Sequence, residues 1–526
     1  MAYSFNLIDQ GWIPCIDLDG RVEELGIQAA LLRAHQLRAV QGDSPLETAA
    51  IYRLLLAVLH SALRGPRSQA EWGQWWQAGR WEESQIGPYL QRWRERFDLF
   101  HPSAPFYQAD DSRVKAPKPI NVLAADMVSG NMAVLFDHHT DAAGESLSAA
   151  RAGRVLLVAQ TFGLGGLSGL GGDSPFTDGP WGRGVIFLVE GDTLFETLAL
   201  NLLRCPDDAV FPAGDDDAPA WERGDPHAPA RDVPQGYLDY LTWQSRRILL
   251  IPTGSPQAPS VAEMKQAPGL RLAANLYDPM KLYRPSKDGG YLVTRYSEER
   301  ALWRDSATLL KLTNPRGRPP HALNWLAALA RSGYIPHHQV YRCMALGMAN
   351  DQAKIEFFRE EHLPLLLDYL EDDALVEKLA AALERAEQTG QALNTAVRWL
   401  AVLVIAPGDD GKQWREVNKV TKDQAGGLAQ HWNADRLFWQ KLELPFVTLL
   451  QDLPTHPAAP EEWQAALRRT AWEALEHAAA QAGDGAAALK AAVRARALLA
   501  GMLNQMDPNH SGQTARQPTL INGDSL

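Results

Sequence analysis

The strongest constraint on the fold is a change in composition near Leu363. Beyond it proline and β-branched residues become rare, and alanine, leucine and glutamate predominate. Four such segments follow one another: Asp368 to Ile405, Gly427 to Leu453, Pro460 to Ala482 and Gly485 to Gln505. Amphipathic segments of this length, joined by short proline- and glycine-containing breaks, favour a helical bundle. The sequence therefore predicts an all-α four-helix bundle over residues 363–506 and a polar tail over residues 507–526.

Residues 1–362 combine short β-type runs with helical segments, which predicts a large, irregular, mixed N-terminal domain and an α+β chain overall. The runs are Tyr3 to Ile8, Val185 to Val189, Ile248 to Ile251, Tyr291 to Tyr296 and Val340 to Met344. Ser44 and Glu47 form a capping box around Pro45 and predict a helix through Leu63.

A second capping box, Ser68 with Glu71, precedes a tryptophan-rich segment. Trp72, Trp75 and Trp76 recur there at helical spacing on one face. This spacing favours packing against a core. A platform on which nucleic-acid bases stack is the alternative.

Size, hydropathy and cysteine content limit the class of protein. A chain of 526 residues and 58.0 kDa is long enough for two or more domains. It has neither a run of about eighteen apolar residues nor the features of a signal peptide, so we expect a cytoplasmic protein without a membrane segment. Cys15, Cys205 and Cys343 are too widely spaced for a disulfide framework or a cysteine-based zinc site.

The charge argues against a freestanding nucleic-acid-binding protein. The formal net charge is −12 and the pI is about 5.6, whereas counterion release rewards a basic surface. Many acidic residues lie between Asp207 and Asp225, and this stretch is typical of a solvated surface loop. The objection weakens if other subunits supply most of the affinity for nucleic acid.

A glycine-rich stretch runs from Thr161 to Pro175 after a segment that is typical of a helix. Its glycines are Gly163, Gly165, Gly166, Gly169, Gly171 and Gly172. They permit a close approach of another surface to the backbone, and the interspersed leucines favour an ordered functional loop over a flexible linker. The stretch lacks the Gly-Lys-Ser/Thr ending of a P-loop, and Ser168 occupies the last position of a dinucleotide motif, so nucleotide binding is not favoured.

Two further polar segments have open interpretations. Asn350 to Lys354 (NDQAK) is by itself a turn or a helix N-cap between apolar stretches. Asp137, His138, His139 and Asp141 are the one metal-like group, which motivates a metal-dependent nuclease or phosphohydrolase centred on Asp137 and His138 as the alternative function. Adjacent histidines point in different directions and no second ligand cluster completes the group, so we predict neither a metal nor a catalytic site.

Taken together, five segments resemble the CasA family, the large subunits of the type I-E CRISPR surveillance complex Cascade. They occur in the family's order and spacing: Phe5 to Pro14, Met127 to His139, the glycine-rich stretch, Asp278 to Pro285, and NDQAK before the helical region. The resemblance implies a non-catalytic subunit without a cofactor. Its task would be to recognise the protospacer-adjacent motif (PAM) in double-stranded DNA and to begin strand separation for R-loop formation.

The resemblance also implies roles for individual residues. Gly163, Gly165 and Gly166 would follow the minor groove at the PAM, and Lys265 matches the family's lysine finger, with Arg271 and Lys281 as substitutes. Asp351, Gln352 and Ala353 match the wedge that parts the first base pair. An amide commonly stands where this chain has Asp351, which departs from the family pattern.

By the same resemblance, Leu135, Phe136, Asp137 and His138 match a loop that anchors the subunit on its neighbours near the guide-RNA end. The side chains there differ from those of other members. The implied partners are the other Cascade subunits with crRNA, target DNA, and a helicase-nuclease recruited partly by the bundle. Lys412, Arg415, Lys419 and Lys422 are the most basic local group in the bundle. A structural helical scaffold without DNA contact is a third possibility.

Overall fold

The computed structural model describes residues 3–124, 146–170, 174–204, 216–274, 276–286, 289–296, 301–310, 318–336, 339–351, 354–410 and 412–506. The chain divides into two compact units, Met1–Asp373 and Ala374–Leu526. The first unit mixes helices and strands, and the second is helical over its described residues. This confirms the predicted fold class.

The strands are β1 (Ile13–Asp17), β2 (Val22–Leu25), β3 (Leu37–Val40), β4 (Lys118–Pro119), β5 (Leu147–Ser148), β6 (Ile186–Glu190), β7 (Arg246–Ser255), β8 (Ala258–Pro268), β9 (Tyr283–Pro285), β10 (Tyr291–Val293), β11 (Val340–Asp351) and β12 (Lys354–Leu366). The helices of the first unit are α1 (Ile27–Leu32), α2 (Pro45–Leu63), α3 (Gln69–Ala78), α4 (Glu83–Arg92), α5 (Ala149–Phe162), α6 (Leu194–Leu200), α7 (Tyr237–Leu241), α8 (Ser306–Leu310), α9 (His321–Arg331) and α10 (Asp368–Glu371). The helices of the second unit are α11 (Asp373–Ile405), α12 (Lys419–His431), α13 (Ala434–Asp452), α14 (Ala459–Gln481) and α15 (Ala486–Gln505).

The strands form small antiparallel sheets. Their orders are β2-β1-β3, β10-β9, β12-β11-β6, and β4-β8-β5 with β7 also paired to β8. Two long hairpins, β7–β8 and β11–β12, provide most of the pairing. Strand β12, in the sheet β12-β11-β6, ends at Leu366. The strand structure therefore continues past Leu363, where the composition changes.

Helix α2 is the core helix of the first unit. Ser44 accepts a hydrogen bond from the Glu47 amide at 3.3 Å, and the Glu47 carboxylate accepts one from the Asp43 amide at 3.0 Å. The predicted helix start is thus confirmed. Among the described residues, only α2 is long and apolar enough to cross a membrane, and 94% of its apolar window is buried inside the protein, as in the core of a globular domain.

The tryptophans of α3 pack inward, as predicted. Trp72 is 1% exposed and donates from Nε1 to the Ala199 carbonyl at 2.7 Å. Its ring stacks on that of Trp76 at a centroid distance of 5.1 Å. At Trp72 the interpretation as a core residue is therefore confirmed.

One prediction for the first unit was wrong. The segment from Tyr3 to Ile8 is not a strand in its described part, because the Asn6 side chain accepts from the Ile8 amide and donates to the Arg94 carbonyl, which folds the segment into a turn. Of the acidic stretch, residues 207–215 lie outside the described residues; Asp216 and Asp225 are exposed and Asp217 is half-buried. Asp217 accepts from the amides of Leu238 and Asp239 at the start of α7.

The second unit has four long helices, α11, α13, α14 and α15, and the shorter α12. Side chains join them: Trp463 of α14 donates to the Ala382 carbonyl of α11 at 2.9 Å, and Lys441 of α13 pairs with Glu473 of α14 at 2.6 Å. The predicted segment from Gly427 to Leu453 is divided between α12 and α13. Asn433 adopts a left-handed conformation with φ of 52° and separates the two helices.

Candidate nucleic-acid interface

The glycine loop, residues 163–179, has an ordered base. It leaves α5 at Gly163 and returns through Phe176. The amide of Gly166 donates to the Phe176 carbonyl at 3.1 Å, and the amide of Phe176 donates back at 2.8 Å. A third bond joins the Gly179 amide to the Gly163 carbonyl at 2.7 Å. These bonds confirm an ordered loop at its base rather than a linker.

Arg246, the first residue of β7, holds both limbs of the loop together. Its guanidinium donates to the Leu164 carbonyl on the outgoing limb at 2.7 Å and to the Thr177 carbonyl on the returning limb at 2.6 Å. The same group lies 4.8 Å from the ring centre of Phe176. Arg246 is 2% exposed, and this burial lowers its pKa to about 10.

Asp178 adds a second connection at the base of the loop. Its carboxylate accepts from the Gly165 amide at 2.8 Å and from Nε of Arg183. The returning limb is therefore tied to the outgoing limb through Asp178. Arg183 extends this connection towards β6.

The glycines of the loop serve different purposes. A Cβ on Gly163 would lie 2.5 Å from the Ala159 carbonyl oxygen and 2.8 Å from Nη2 of Arg246, and a Cβ on Gly165 would lie 3.2 Å from the Phe176 carbonyl oxygen. At these positions the protein's own atoms crowd the backbone. Gly169 has φ of +72°, and no atom of the described residues lies within 4 Å of where its Cβ would be, so its backbone is not crowded.

Lys265 lies on β8 opposite Leu249 of β7. Its side chain is 28% exposed, and its Nζ is 3.5 Å from Oδ1 of Asp110. The next residue, Asp111, pairs with Arg113 at 2.7 Å, which lowers the pKa of the Asp111 carboxyl to about 2. Arg113 also donates to the Ser174 hydroxyl at 3.3 Å. The segment 110–113 thus connects the lysine-finger candidate to the returning limb of the glycine loop.

The substitutes for Lys265 differ in accessibility. Arg271 is exposed. Lys281 is 7% exposed and donates to the Pro180 carbonyl at 2.7 Å, and burial lowers its pKa to about 8. Lys281 is therefore a structural residue that holds the returning limb, and it is not accessible to DNA.

The segment from Asp278 to Pro285 supports the same limb. Asp278 is buried and accepts from Nε1 of Trp181 at 2.7 Å and from the hydroxyl of Tyr240. Together with Lys281 it fixes the backbone around Trp181. The segment from Asp278 to Pro285 therefore contributes to the site by positioning the glycine loop.

The described residues of NDQAK, Asn350, Asp351 and Lys354, lie at the ends of β11 and β12 and are not part of a helix. The pairing runs from Val340 with Leu366 to Asp351 with Lys354. Strand β6 pairs with β11 only as far as Leu346. At about 3.4 Å per residue, the end of β11 lies about 17 Å beyond the last β6 pair. Gln352 and Ala353 themselves are outside the described residues.

The glycine loop is connected to the hairpin through strand β6. The returning limb passes through Arg183 and Gly184 directly into β6, which pairs with β11. A Cβ on Gly347 of β11 would lie 2.9 Å from the Gly184 carbonyl oxygen. The end of the returning limb therefore packs closely against β11.

A histidine between two carboxylates braces the base of the hairpin. His362 on β12 places Nδ1 2.9 Å from Glu190 of β6 and Nε2 2.9 Å from Glu360. Hydrogen bonding to Glu190 and then to Glu360 raises the pKa of His362 to about 9. Arg342 of β11 also pairs with Glu190 at 3.1 Å. The cluster ties together all the strands of this sheet.

The remaining predicted site residues are less informative. Leu135, Phe136, Asp137 and His138 lie outside the described residues. Within the described ranges no group of His, Cys, Asp and Glu side chains could hold a metal ion. In the bundle, Lys412 pairs with Asp409 and Lys422 lies over the Trp414 ring at 5.6 Å. Arg415 and Lys419 are exposed.

Sequence reasoning missed the residues that shape the loop. A buried arginine at the start of a strand, such as Arg246, has no distinctive sequence pattern. Asp178 precedes Gly179 and Pro180, which indicates a turn but not the partner of its carboxylate. Arg113 is 61 positions from Ser174, a separation at which a single sequence carries no contact signal.

The chain has extensive similarity to proteins of one family. Residues 6–474 match the family described as CRISPR-associated protein Cse1. The CRISPR-associated protein CasA/Cse1 of Thermus thermophilus is 37% identical over 497 residues, which are 93% of this chain and 95% of that protein.

Solved structures match as well. The crystal structure of CasA from Thermus thermophilus superimposes with a TM-score of 0.80 at 33% identity, over 95% of this chain and 99% of that chain. A chain of a CRISPR RNA-guided surveillance complex, pre-nicking, superimposes with a TM-score of 0.67 at 25% identity, over 94% of this chain and 98% of that chain. Sequence and fold agree over nearly the whole length, and the chain therefore belongs to the Cse1 (CasA) family of CRISPR-associated proteins.

Proposed function

We propose that this chain is the large, non-catalytic subunit of an RNA-guided CRISPR surveillance complex in the cytoplasm. In that complex it recognises the PAM in double-stranded DNA and begins strand separation. Family membership supports the subunit role. The observation that supports the rest is that the glycine loop leads into β6, which pairs with β11 of the hairpin, because recognition of a duplex and its opening have to occur side by side.

The length of the hairpin supports this role. Strands β11 and β12 pair as far as Asp351 and Lys354, and His362 and Glu190 join the hairpin to β6. Glutamine is uncharged and carries both a donor and acceptors for base edges. We therefore assign to Gln352 the entry into the duplex beside the PAM. Asp351 contributes to this wedge where a neighbouring cation offsets its charge.

The glycine loop supplies the duplex contact in this proposal. Gly163, Gly165 and Gly166 form the narrow limb that brings the tip to the minor groove, where little side-chain volume is tolerated. Lys265, which is paired with Asp110, and Arg113, which is paired with Asp111, are the cations that would contact phosphates in this proposal. Release from Asp110 would free Lys265 to act as the lysine finger.

The other contacts follow from the subunit role. Leu135, Phe136, Asp137 and His138 anchor the subunit on its neighbours near the crRNA end. The bundle contributes to recruitment of the helicase-nuclease, with Arg415 and Lys419 as its exposed cations. The chain uses no cofactor for these tasks.

A strand-opening assay on the assembled complex with crRNA tests the proposal. A fluorescent base next to the PAM reports opening of the first base pair. Opening costs a few kcal/mol of pairing and stacking, so Gln352→Ala should slow R-loop formation on a paired target. A target with a bubble at the first positions should largely restore the rate.

Gln257→Ala is the matched control, because Gln257 is an exposed glutamine at the turn of the other long hairpin, β7–β8. It should leave opening unchanged. Equal defects of Gln352→Ala on paired and bubbled targets would refute the wedge. Metal-dependent cleavage of DNA by the purified chain, abolished by Asp137→Ala and His138→Ala, would instead support the hydrolase alternative.

A further inference from the structure

Arg318 presents an exposed guanidinium that two tyrosine rings hold in place. The guanidinium carbon lies 4.1 Å from the ring centre of Tyr277 and 5.0 Å from that of Tyr291, and the residue is exposed. Within the described part of the chain, these two rings are the only partners of the side chain. An arginine that lies over aromatic faces keeps the N–H groups at its edge available to an anion.

The backbone of Arg318 is also fixed. Its amide donates to the Tyr283 carbonyl of β9 at 3.0 Å, and the Tyr283 amide donates back at 2.9 Å. The Tyr277 ring meets the rings of Tyr283 and Tyr291 nearly at right angles, with centroid distances of 5.3 Å and 5.5 Å. Because both the main chain and the side chain of Arg318 are held, a ligand that binds the guanidinium loses little affinity to ordering.

The segment that ends at Arg318 is basic, unlike the chain as a whole. From Lys281 to Arg318 the sequence has nine lysines and arginines and four aspartates and glutamates, whereas the formal net charge of the chain is −12. Arg284 already lies 3.8 Å from Asp305. This leaves Arg295 and Arg318 as the exposed arginines of this segment that have no carboxylate partner among the described residues. A local excess of cations in an acidic chain is typical of a surface that meets a polyanion.

Arg318 belongs to the same framework as the glycine loop. The loop leads into β6, and at the start of that strand the amides of Val185 and Phe187 donate to the carbonyls of Thr294 and Met280 at 3.0 Å and 2.8 Å. Thr294 and Met280 lie at the two ends of the β9–β10 hairpin, to which Arg318 is bridged. The guanidinium is therefore attached to the part of the first unit that supports the candidate interface.

We propose that Arg318 is a phosphate-binding residue whose guanidinium holds one phosphodiester group of the target DNA, while Tyr277 and Tyr291 keep it oriented. The inference rests on the proposed function, which brings DNA to the first unit. A planar guanidinium can donate to two oxygens of one phosphate. Because a phosphate contact carries no sequence information, Arg318 contributes to the affinity for DNA and not to recognition of the PAM.

The test is the salt dependence of target-DNA binding by the assembled complex with crRNA. Loss of one phosphate contact lowers the slope of log affinity against log salt concentration by about 1. Arg318→Gln should show this decrease and should bind about fivefold more weakly at physiological salt, equally on duplexes with and without a PAM. Arg318→Lys keeps the charge but loses the planar fork, so its slope should match the wild type while its affinity falls about threefold.

Arg92→Gln is the matched control, because Arg92 is also exposed and lies 5.2 Å from the ring centre of Trp93. It should leave the slope and the affinity unchanged. A wild-type slope in Arg318→Gln would overturn the inference, and so would an equal decrease in Arg92→Gln. Loss of Arg318→Gln from the assembled complex would assign the residue to a contact with another subunit or with crRNA and would also overturn it. If the wild type binds duplexes with and without a PAM equally, the proposed function fails, whereas the slope still tests Arg318.

Discussion

Replacing Arg246 with methionine should loosen the glycine loop. The variant keeps an unbranched apolar side chain in place of the arginine stem and removes the guanidinium. Three carbonyl groups lose a donor, those of Leu164 at 2.7 Å, Thr177 at 2.6 Å and Ser245 at 3.0 Å. The contact with the Phe176 ring is lost as well.

The magnitude follows from how many of these carbonyls water can reach. A buried carbonyl left without a partner costs about 1–3 kcal/mol. The buried Ser245 carbonyl keeps a donor, the Gly269 amide at 3.1 Å. Leu164 and Thr177 are half-buried, so water replaces part of their loss. Removal of the guanidinium also relieves its own desolvation, which is the cause of its lowered pKa. We therefore expect the first unit to lose about 1–3 kcal/mol of unfolding free energy.

Two measurements on the full chain check this value. Unfolding in denaturant, monitored by hydrogen exchange and mass spectrometry, reports the stability of each unit separately. In Arg246→Met the amides of Gly165, Gly166 and Gly179, which are hydrogen-bonded at the base of the loop, should exchange faster. Protection in the second unit should not change.

Arg247→Met is the control, since Arg247 is the next residue on β7 and is only half-buried. It should cost less than about 1 kcal/mol. If Arg246→Met were no more destabilising than Arg247→Met and the loop amides stayed protected, the guanidinium would not be what holds the limbs together. The interpretation of the loop as a braced support would then be refuted.

Two further predictions concern the pH dependence of stability and the steric effect of a side chain at two glycine positions. The pKa of His362 is raised to about 9 from an ordinary 6.5; its stabilising effect should be full below pH 6.5 and lost as the pH rises through about 9. Denaturation of wild type and His362→Gln at several pH values should show a stability difference that shrinks across this interval, and a constant difference would contradict the ion-pair interpretation. Gly163→Ala should lower the melting temperature by several degrees, because its Cβ would lie 2.5 Å from the Ala159 carbonyl oxygen. Gly169→Ala, with open space but φ of +72°, should cost only about 1 kcal/mol, and equal melting temperatures of the two variants would refute this distinction.

The fold was predictable where a local interaction decides it. Ser44 caps α2 because its hydroxyl meets the Glu47 amide three residues later, a relation visible in the sequence. The segment from Tyr3 to Ile8 was not predictable, since its apolar residues resemble a strand while Asn6 bonds to Arg94, far along the chain. The length of β11 was underestimated and β12 was not predicted, because the polar end of the hairpin, including Asp351, looks like a break until the partner strand is known.

The contacts at the candidate site were also only partly predictable from the sequence. A dense run of glycines indicates that something approaches the backbone, but the sequence does not say what. At Gly163 the approaching groups are the Ala159 carbonyl and the Arg246 guanidinium, both within this chain. Of the interspersed leucines, which indicated order, Leu167 is 96% exposed. It follows that substitutions at Gly163 test the stability of the loop, so a Gly163 variant that loses DNA binding would not by itself locate a contact with DNA.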